Sequence, residues 1–126
     1  MIIGLDIDDT ITAQPALFAA LSRAPGVRRV VVVSTRTDLP EARRATEEEL
    51  RGLGIRYHLL HLLPGQAVAE GRCPHVELDG YRQYLWQKVD FCREQGVEVM
   101  FEDDDKVIAL FHRYAPEIGV VKVTQP

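Results

Sequence analysis

Acidic side chains are concentrated at two points of this sequence, and each point follows a short apolar run. The pattern Asp-x-Asp-x-Thr occupies residues 6–10, and four consecutive acids occupy residues 102–105. If the two apolar runs are neighbouring parallel strands, their carboxyl ends bring the acids into one crevice, where the charges repel one another. A hard cation relieves this repulsion, and carboxylate oxygens are the ligands that Mg²⁺ prefers. The sequence therefore predicts a site for such a cation.

Two carboxylates and one lysine near this crevice have the types needed for acid–base and phosphate chemistry. Asp6 and Asp8 lie two positions apart, so they face the same side if the strand continues through them. When a metal binds only one of two such carboxylates, they can keep different protonation states, which suits a nucleophile and a general acid. Lys88 falls within an apolar helical stripe, where lysine is rare. Facing inward, it can neutralise the acids or a bound phosphate, and the alternative is a lysine that extends to water.

The elements that must position these residues alternate between short apolar runs and amphipathic segments, which indicates βα units around a parallel sheet. We expect one α/β domain over residues 1–126, a doubly wound, mainly parallel five-stranded Rossmann-like sheet with helices on both faces. Such sheets bind ligands beyond the carboxyl ends of their strands. The predicted strands are 2–7, 30–33, 55–60, 97–101 and 118–123, and the predicted helices are 15–24, 38–53, 81–94 and 105–114.

Caps and stripes complete the helix predictions. Asp38 and Glu41 have the spacing of a capping box, with Leu39 on the inward stripe that follows. In the helix 81–94 the inward stripe is expected to begin at Tyr81. Asp104 or Asp105 is expected to cap the helix 105–114, with Asp105 favoured. Residues 63–79 contain several Pro and Gly, and we assign them no secondary structure. They form either a lid or subunit interface over the crevice or a surface loop without a role.

In kind and in order, these motifs resemble those of the haloacid dehalogenase superfamily. The Asp-x-Asp-x-Thr of residues 6–10 resembles its first motif, and Ser34 after the apolar run 30–33 resembles its second. Lys88 is the candidate for the lysine of its third motif, and the pair Glu102–Asp103 resembles its fourth. The sequence departs from the family in having Glu102 where Asp is usual, in a short interval between Lys88 and Asp103, and in lacking a segment large enough for a cap domain.

The resemblance implies a Mg²⁺-dependent phosphomonoester hydrolase that acts through an aspartyl-phosphate intermediate, since a second aspartate marks the phosphoryl-transfer members. Asp6 would be the nucleophile, and Asp8 would protonate the leaving oxygen and then activate water. The implied Mg²⁺ ligands are Asp6, the Asp8 carbonyl and the acidic pair, with Asp103 favoured over Glu102. The candidate catalytic residues are Asp6, Asp8, Thr10, Ser34 and Lys88, and the candidate substrate contacts are Ser34, Thr35, Arg36 and Lys88, where a surface salt bridge is the alternative for Arg36.

Composition limits the partners. Fifteen Lys and Arg against 19 Asp and Glu give a net charge of −4, which argues against a general nucleic-acid binder. We expect a small phosphorylated substrate, and leave open a macromolecular substrate and a homo-oligomer. Two cysteines, a short N-terminal apolar run and no apolar stretch of roughly 20 residues predict a cytoplasmic protein without a membrane partner. The spacing of the candidate zinc ligands fits no structural zinc site: His58, His61, His75 and Cys73.

Two other classes of function compete with the hydrolase. One is a phosphoacceptor of the receiver type, which also combines an acid cluster, a hydroxyl and a lysine on a parallel sheet. Its order of motifs differs, because the third strand here leads into 59–62 without an aspartate, and Lys122 lies inside the last strand rather than after it. The other is a catalytically silent binding module, against which the intact Asp6 and Asp8 argue.

Overall fold

Five strands form one sheet, all parallel, in the computed structural model, which describes residues 1–65 and 71–125. The strands are β1 (Ile2–Leu5), β2 (Arg29–Thr37), β3 (Leu59–Leu63), β4 (Val99–Glu102) and β5 (Gly119–Lys122), and the helices are α1 (Pro15–Ser22), α2 (Pro40–Gly52), α3 (Gly80–Glu94) and α4 (Asp105–Tyr114). The strand order is β3-β2-β1-β4-β5, which places β1 at the centre. The predicted α/β class, with a five-stranded parallel sheet and no large cap domain, is confirmed.

Both faces of the sheet are covered, which explains the unbroken apolar run 30–33 in β2. Alternate residues of a strand point to opposite faces, and a strand covered on both sides needs apolar residues at every position. On one face Phe18 of α1 and Leu50 of α2 share a buried core with Val30 and Val32. On the other face Leu85 of α3 and Phe111 of α4 share a core with the remaining two valines of the run.

The sheet register brings the two acidic groups together. Leu5 at the end of β1 pairs with Phe101 of β4, so the residues that follow each strand lie side by side. β1 pairs with β2 on its other edge, with Leu5 opposite Val32. The chain passes from β1 to β2 and β3 on one side and returns to β4 and β5 on the other, and ligand crevices of open α/β sheets form at such a reversal.

Strand and helix ends differ from the sequence-based bounds by a few residues. β3 begins at Leu59 rather than at Ile55, because the N–H of Ile55 donates to the Leu50 carbonyl and closes the end of α2. The predicted cap of α2 is wrong: its N-cap is Leu39, which makes no side-chain cap bond and is exposed rather than inward-facing. Pro40 at the first helical position needs no N–H partner and already has a helical φ, so it can start the helix without a side-chain cap.

The segment 63–79 is partly outside the described residues, since 66–70 are not described. Its described part packs on the sheet rather than standing apart from it. Cys73 and Leu78 are buried in the core under α3 and α4, and the Tyr114 hydroxyl donates to Glu77 at 2.6 Å. The expectation of a lid or subunit interface covers residues 63–79, of which 66–70 lie outside the described residues, and it stays a prediction. Among the described helices, we find none that combines the length and the apolar character needed to cross a bilayer.

Candidate active site and metal centre

Asp6 lies directly beyond the end of the central strand. Its backbone is still extended, and its N–H donates to the Phe101 carbonyl of β4 at 3.1 Å, which fixes the residue against the neighbouring strand. The carboxylate is buried, with Oδ1 accepting from Nζ of Lys88 at 2.8 Å and Oδ2 lying 3.1 Å from Oγ1 of Thr10. Lys88 therefore holds one oxygen of this carboxylate, and the Thr10 hydroxyl lies within hydrogen-bond distance of the other.

A tight turn returns the chain from Asp6 to the start of the next element. Asp9 adopts φ +62° within it, a left-handed conformation that Asp tolerates better than most residues because its short side chain bonds locally. The turn places the Thr10 hydroxyl between two carboxylates, 3.1 Å from Asp6 and 3.2 Å from Oδ1 of Asp103. A hydroxyl has one proton, so Thr10 can donate to only one of them at a time.

Lys88 is the cation of the crevice. Its side chain is 2% exposed, and Nζ lies 3.0 Å from Oε2 of Glu102 as well as 2.8 Å from Asp6. Burial alone would lower the pKa of Lys88, but the charges of Asp6 and Glu102 outweigh it and raise the pKa above its ordinary value. The inward-facing alternative for Lys88 is therefore the one that the structure shows, and the lysine is charged.

Glu102 is enclosed on all sides. Its Oε1 accepts the backbone N–H groups of Asp103 and Asp104 at 3.1 and 3.2 Å, and its Oε2 accepts from Lys88. Burial and the charge of Asp6 raise the pKa of Glu102 above its ordinary value, and Lys88 and the backbone N–H of Asp104 offset only part of that shift. Three donors on one carboxylate favour the ionised form, so we describe Glu102 as a carboxylate.

Three carboxylates are close enough to share one cation. Oxygens of Asp6, Glu102 and Asp103 all lie within 4.8 Å of one another. Burial raises the pKa of Asp103, and the hydrogen bond and charge of Asp6 add to that shift. Lys88 offsets one of three negative charges, and an all-oxygen donor set suits Mg²⁺. In the part of the chain that the structure describes, Asp103 accepts only from Thr10, so it is more available to a metal than Glu102.

Asp8 has a different environment from Asp6. The turn places it, since β1 ends at Leu5 rather than at Ile7, and the condition that the strand continues through Asp8 is not met. Its side chain is 60% exposed and accepts two bonds from Arg36, at 2.8 Å from Nη2 and 3.1 Å from Nε. Hydrogen bonding to Arg36 lowers the pKa of Asp8, while burial acts in the opposite direction.

Two side chains of α2 bind the guanidinium of Arg36. Its Nη1 donates to Oε1 of Glu49 at 2.8 Å and to the Thr46 hydroxyl at 3.2 Å. These contacts orient the guanidinium toward Asp8. Arg36 thus forms the salt bridge that was the alternative to a substrate contact, and its partner in that salt bridge is a residue of the crevice. The sequence did not single out Glu49, because it is one of three consecutive glutamates on α2 and only the packing distinguishes it.

The end of β2 presents Thr35 rather than Ser34 to the crevice. Ser34 is buried, and its Oγ accepts the N–H of Arg36 at 3.1 Å. Thr35 is exposed, and its carbonyl accepts from the Tyr84 hydroxyl at 2.8 Å. The crevice has a volume of about 160 Å³ and is lined by Asp6, Asp8, Asp9, Thr35, Tyr81, Leu85, Lys88, Glu102, Asp103, Asp104 and Val107.

Most of the predicted site residues thus meet at one place. Five of the lining residues were not predicted as site residues: Asp9, Tyr81, Leu85, Asp104 and Val107. Tyr81 was assigned to the buried stripe. Of the two candidate caps of α4, the structure shows Asp104 rather than the favoured Asp105, because Asp104 is the N-cap and accepts the N–H of Lys106. Asp105 instead pairs with Lys122 on the surface at 2.8 Å.

The histidines considered as zinc ligands have other contacts. Nδ1 of His58 accepts the backbone N–H of Val30 at 3.0 Å, which ties the start of β3 to β2. The His61 ring stacks on Phe91 with 4.0 Å between centroids, and His75 stacks on Tyr114.

Comparison with known proteins supports the fold. No protein-family model and no curated protein matched this chain. A solved structure, described as the structure of a Pnkp1/Rnl/Hen1 complex, contains a chain that is similar, with a TM-score of 0.63 and 17% sequence identity. The match covers 98% of this chain and 45% of that chain, so this chain spans less than half of its length. At this identity the similarity shows a shared α/β architecture.

Proposed function

We propose that this chain is a Mg²⁺-dependent phosphomonoester hydrolase of the haloacid dehalogenase type that acts through an aspartyl-phosphate on Asp6. One observation carries the proposal: a buried carboxylate at the end of the central strand, 2.8 Å from a charged lysine, sits within 4.8 Å of the two other members of an acidic triad. A nucleophilic carboxylate needs to be ionised, fixed and close to positive charge that attracts phosphate. The burial of Asp6 and its 2.8 Å contact with Nζ of Lys88 support this role.

The chemistry divides between the two aspartates that begin the chain's first motif. A carboxylate oxygen of Asp6 would attack phosphorus as the bond to the leaving oxygen breaks, and Asp8 would give its proton to that oxygen. Ionised Asp8 would then take a proton from water as the water attacks phosphorus, which releases phosphate and restores Asp6. Arg36 holds Asp8 in the ionised form that the second step uses. The first step would require Asp8 to leave Arg36 and become protonated.

The remaining residues bind and orient. Asp6, Asp103 and the Asp8 carbonyl would hold Mg²⁺, which when bound offsets negative charge on the transferring group. Lys88 supplies a fixed, buried positive charge beside Asp6. The exposed Thr35 is better placed than the buried Ser34 to donate a hydroxyl to a phosphate oxygen.

The test is phosphate release with and without Mg²⁺ by wild type and Asp6→Asn. We expect Asp6→Asn to lose more than about 1000-fold in turnover, because an amide cannot attack phosphorus. Its melting temperature without Mg²⁺ should equal or exceed that of wild type, since the change removes one of three repelling charges. The matched control is Asp105→Asn, which alters only an exposed ion pair and should keep full turnover.

Mass spectrometry of acid-quenched reactions should find phosphate on the peptide that contains Asp6. Turnover by Asp6→Asn at the wild-type rate would remove Asp6 as the nucleophile. Labelling of Asp6 without catalytic turnover would indicate instead the regulatory phosphoacceptor.

A further inference from the structure

Tyr81 is an exposed aromatic side chain in the wall of the crevice. It lies in the first turn of α3 and is 45% exposed, whereas burial on this helix begins one turn later at Leu85. The turn is firmly held, because the Asp79 side chain accepts the backbone N–H of Arg82 at 2.8 Å. The ring therefore occupies a defined place at the crevice without contributing to the core.

A second tyrosine supports this ring. The rings of Tyr81 and Tyr84 are nearly parallel, with an interplanar angle of 26° and 6.5 Å between centroids. The Tyr84 hydroxyl donates to the carbonyl of Thr35, which itself lines the crevice. The aromatic pair is thus tied to the end of β2, and a rigid ring offers contact area at a low cost in conformational entropy.

The charges of the crevice restrict what can lie against Tyr81. Phosphate would occupy the end of the crevice near Asp6 and Lys88, so the group that reaches Tyr81 is the leaving group. The lining also includes the carboxylates of Asp8, Asp9 and Asp104, which repel a second anionic group. An uncharged planar ring meets no such repulsion and can stack on tyrosine in an offset geometry.

We propose that the crevice takes phosphomonoesters whose leaving group carries an uncharged planar ring, aryl or nucleobase, and that Tyr81 stacks on this ring. The proposal rests on the hydrolase function above. It makes Tyr81 a specificity-determining residue, and it requires no cap domain, because α3 itself supplies the contact. Stacking of a base on an aromatic side chain is sufficient for about a tenfold preference.

The test uses substrate pairs that differ in the ring but share a primary hydroxyl as leaving group: adenosine 5′-monophosphate with ribose 5-phosphate, and phenethyl phosphate with butyl phosphate. We expect wild type to favour at least one ring-bearing member by about tenfold in kcat/KM, mainly through KM. Tyr81→Ala should bring that ratio close to one, and Tyr81→Phe should keep it. Leu17→Ala, an exposed apolar residue in a different groove, should leave all four rates unchanged.

Equilibrium binding separates this proposal from the hydrolase function. Calorimetry with Mg²⁺ measures the affinities of the same four phosphomonoesters for Asp6→Asn with and without the additional change Tyr81→Ala, because Asp6→Asn binds substrate without hydrolysing it. A ring preference in binding that Tyr81→Ala abolishes supports the stacking role even if no phosphate is released. Equal affinities and equal rates within both pairs, or a ring preference that Tyr81→Ala retains, would overturn it. A preference in only one pair supports the proposal and identifies the ring as nucleobase or aryl.

Discussion

Replacing Lys88 with methionine tests the electrostatic core of the site. Lys88 is the buried partner of two carboxylates, at 2.8 Å from Asp6 and 3.0 Å from Glu102. Methionine has a similar length and fills the space, so the substitution removes the charge with little change in packing. Three neighbouring carboxylates then have no cation among them. We expect the metal-free variant to be much less stable than wild type.

The size of this loss of stability follows from the burial of Lys88 and its two partners, Asp6 and Glu102. Removing one partner of a buried ion pair costs about 3–5 kcal/mol in the free energy of unfolding. For a domain of this size that corresponds to a fall of roughly 10–20 °C in Tm. In the variant the folded-state pKa values of the carboxyl groups rise above their unfolded values. The loss of stability should therefore be complete at pH 8 and shrink as the pH falls toward about 4, where the unfolded carboxyls also bind protons.

Thermal unfolding followed by circular dichroism, without metal at pH 8 and pH 5, measures both effects. Mg²⁺ should raise the Tm of Lys88→Met more than that of wild type, because the cation replaces missing positive charge. Lys122→Met is the matched control, since Lys122 pairs with Asp105 at the same 2.8 Å but on the surface. An exposed pair contributes less than about 1 kcal/mol. If the loss of Tm at pH 8 is as small for Lys88→Met as for Lys122→Met, Lys88 does not compensate the negative charge of the acidic triad.

Two further predictions concern the acids around the crevice. Asp103→Ala should weaken Mg²⁺ binding by about tenfold or more, because even changes to residues outside the metal's direct ligands have effects of that size, whereas Asp105→Ala should leave Mg²⁺ binding unchanged. Calorimetric Mg²⁺ titrations of the two variants test this. Equal losses of affinity would mean that the acidic motif is misaligned. Arg36→Met should raise the pKa of Asp8, since hydrogen bonding to Arg36 is the largest cause of its lowered value. An NMR titration of the Asp8 carboxyl that gives the same pKa in both proteins would show that the Arg36 contact does not persist in solution.

The sheet was predictable because burial on both faces leaves a plain mark on the sequence. The run 30–33 has an apolar side chain at every position, and its four β-branched valines favour a buried strand over a helix. The order of the strands along the chain does not reveal their spatial order in the sheet. The adjacency of β1 and β4 could therefore only be assumed. The start of α2 was mispredicted because Asp38 and Glu41 have the right spacing, while Pro40 lets the helix begin without them.

In the site, the type of residue was easier to predict than its orientation. Ser34 and Thr35 both carry hydroxyls, but burial in β2 is continuous from Val30 to Ser34 and ends at Thr35, so the place where the strand leaves the core decides which hydroxyl is exposed. Helical periodicity places Tyr81 on the same stripe as Leu85, but the stripe leaves the core in the first turn of α3 and reaches the crevice. Periodicity gives the direction of a side chain and does not say where the core ends.

The short interval between Lys88 and the acidic pair follows from the direct return of the chain from α3 to β4. From Lys88 to the end of α3 at Glu94 the helix rises about 9 Å, and from Val99 to Glu102 the strand advances about 10 Å in the opposite direction. The two distances match, so Lys88 lies level with Glu102 and bonds it at 3.0 Å. Glutamate suits this place because its longer side chain reaches Lys88 with one oxygen while the other accepts two backbone N–H groups of the following turn. Glu102 therefore closes the turn, and the next residue, Asp103, is left to face the crevice.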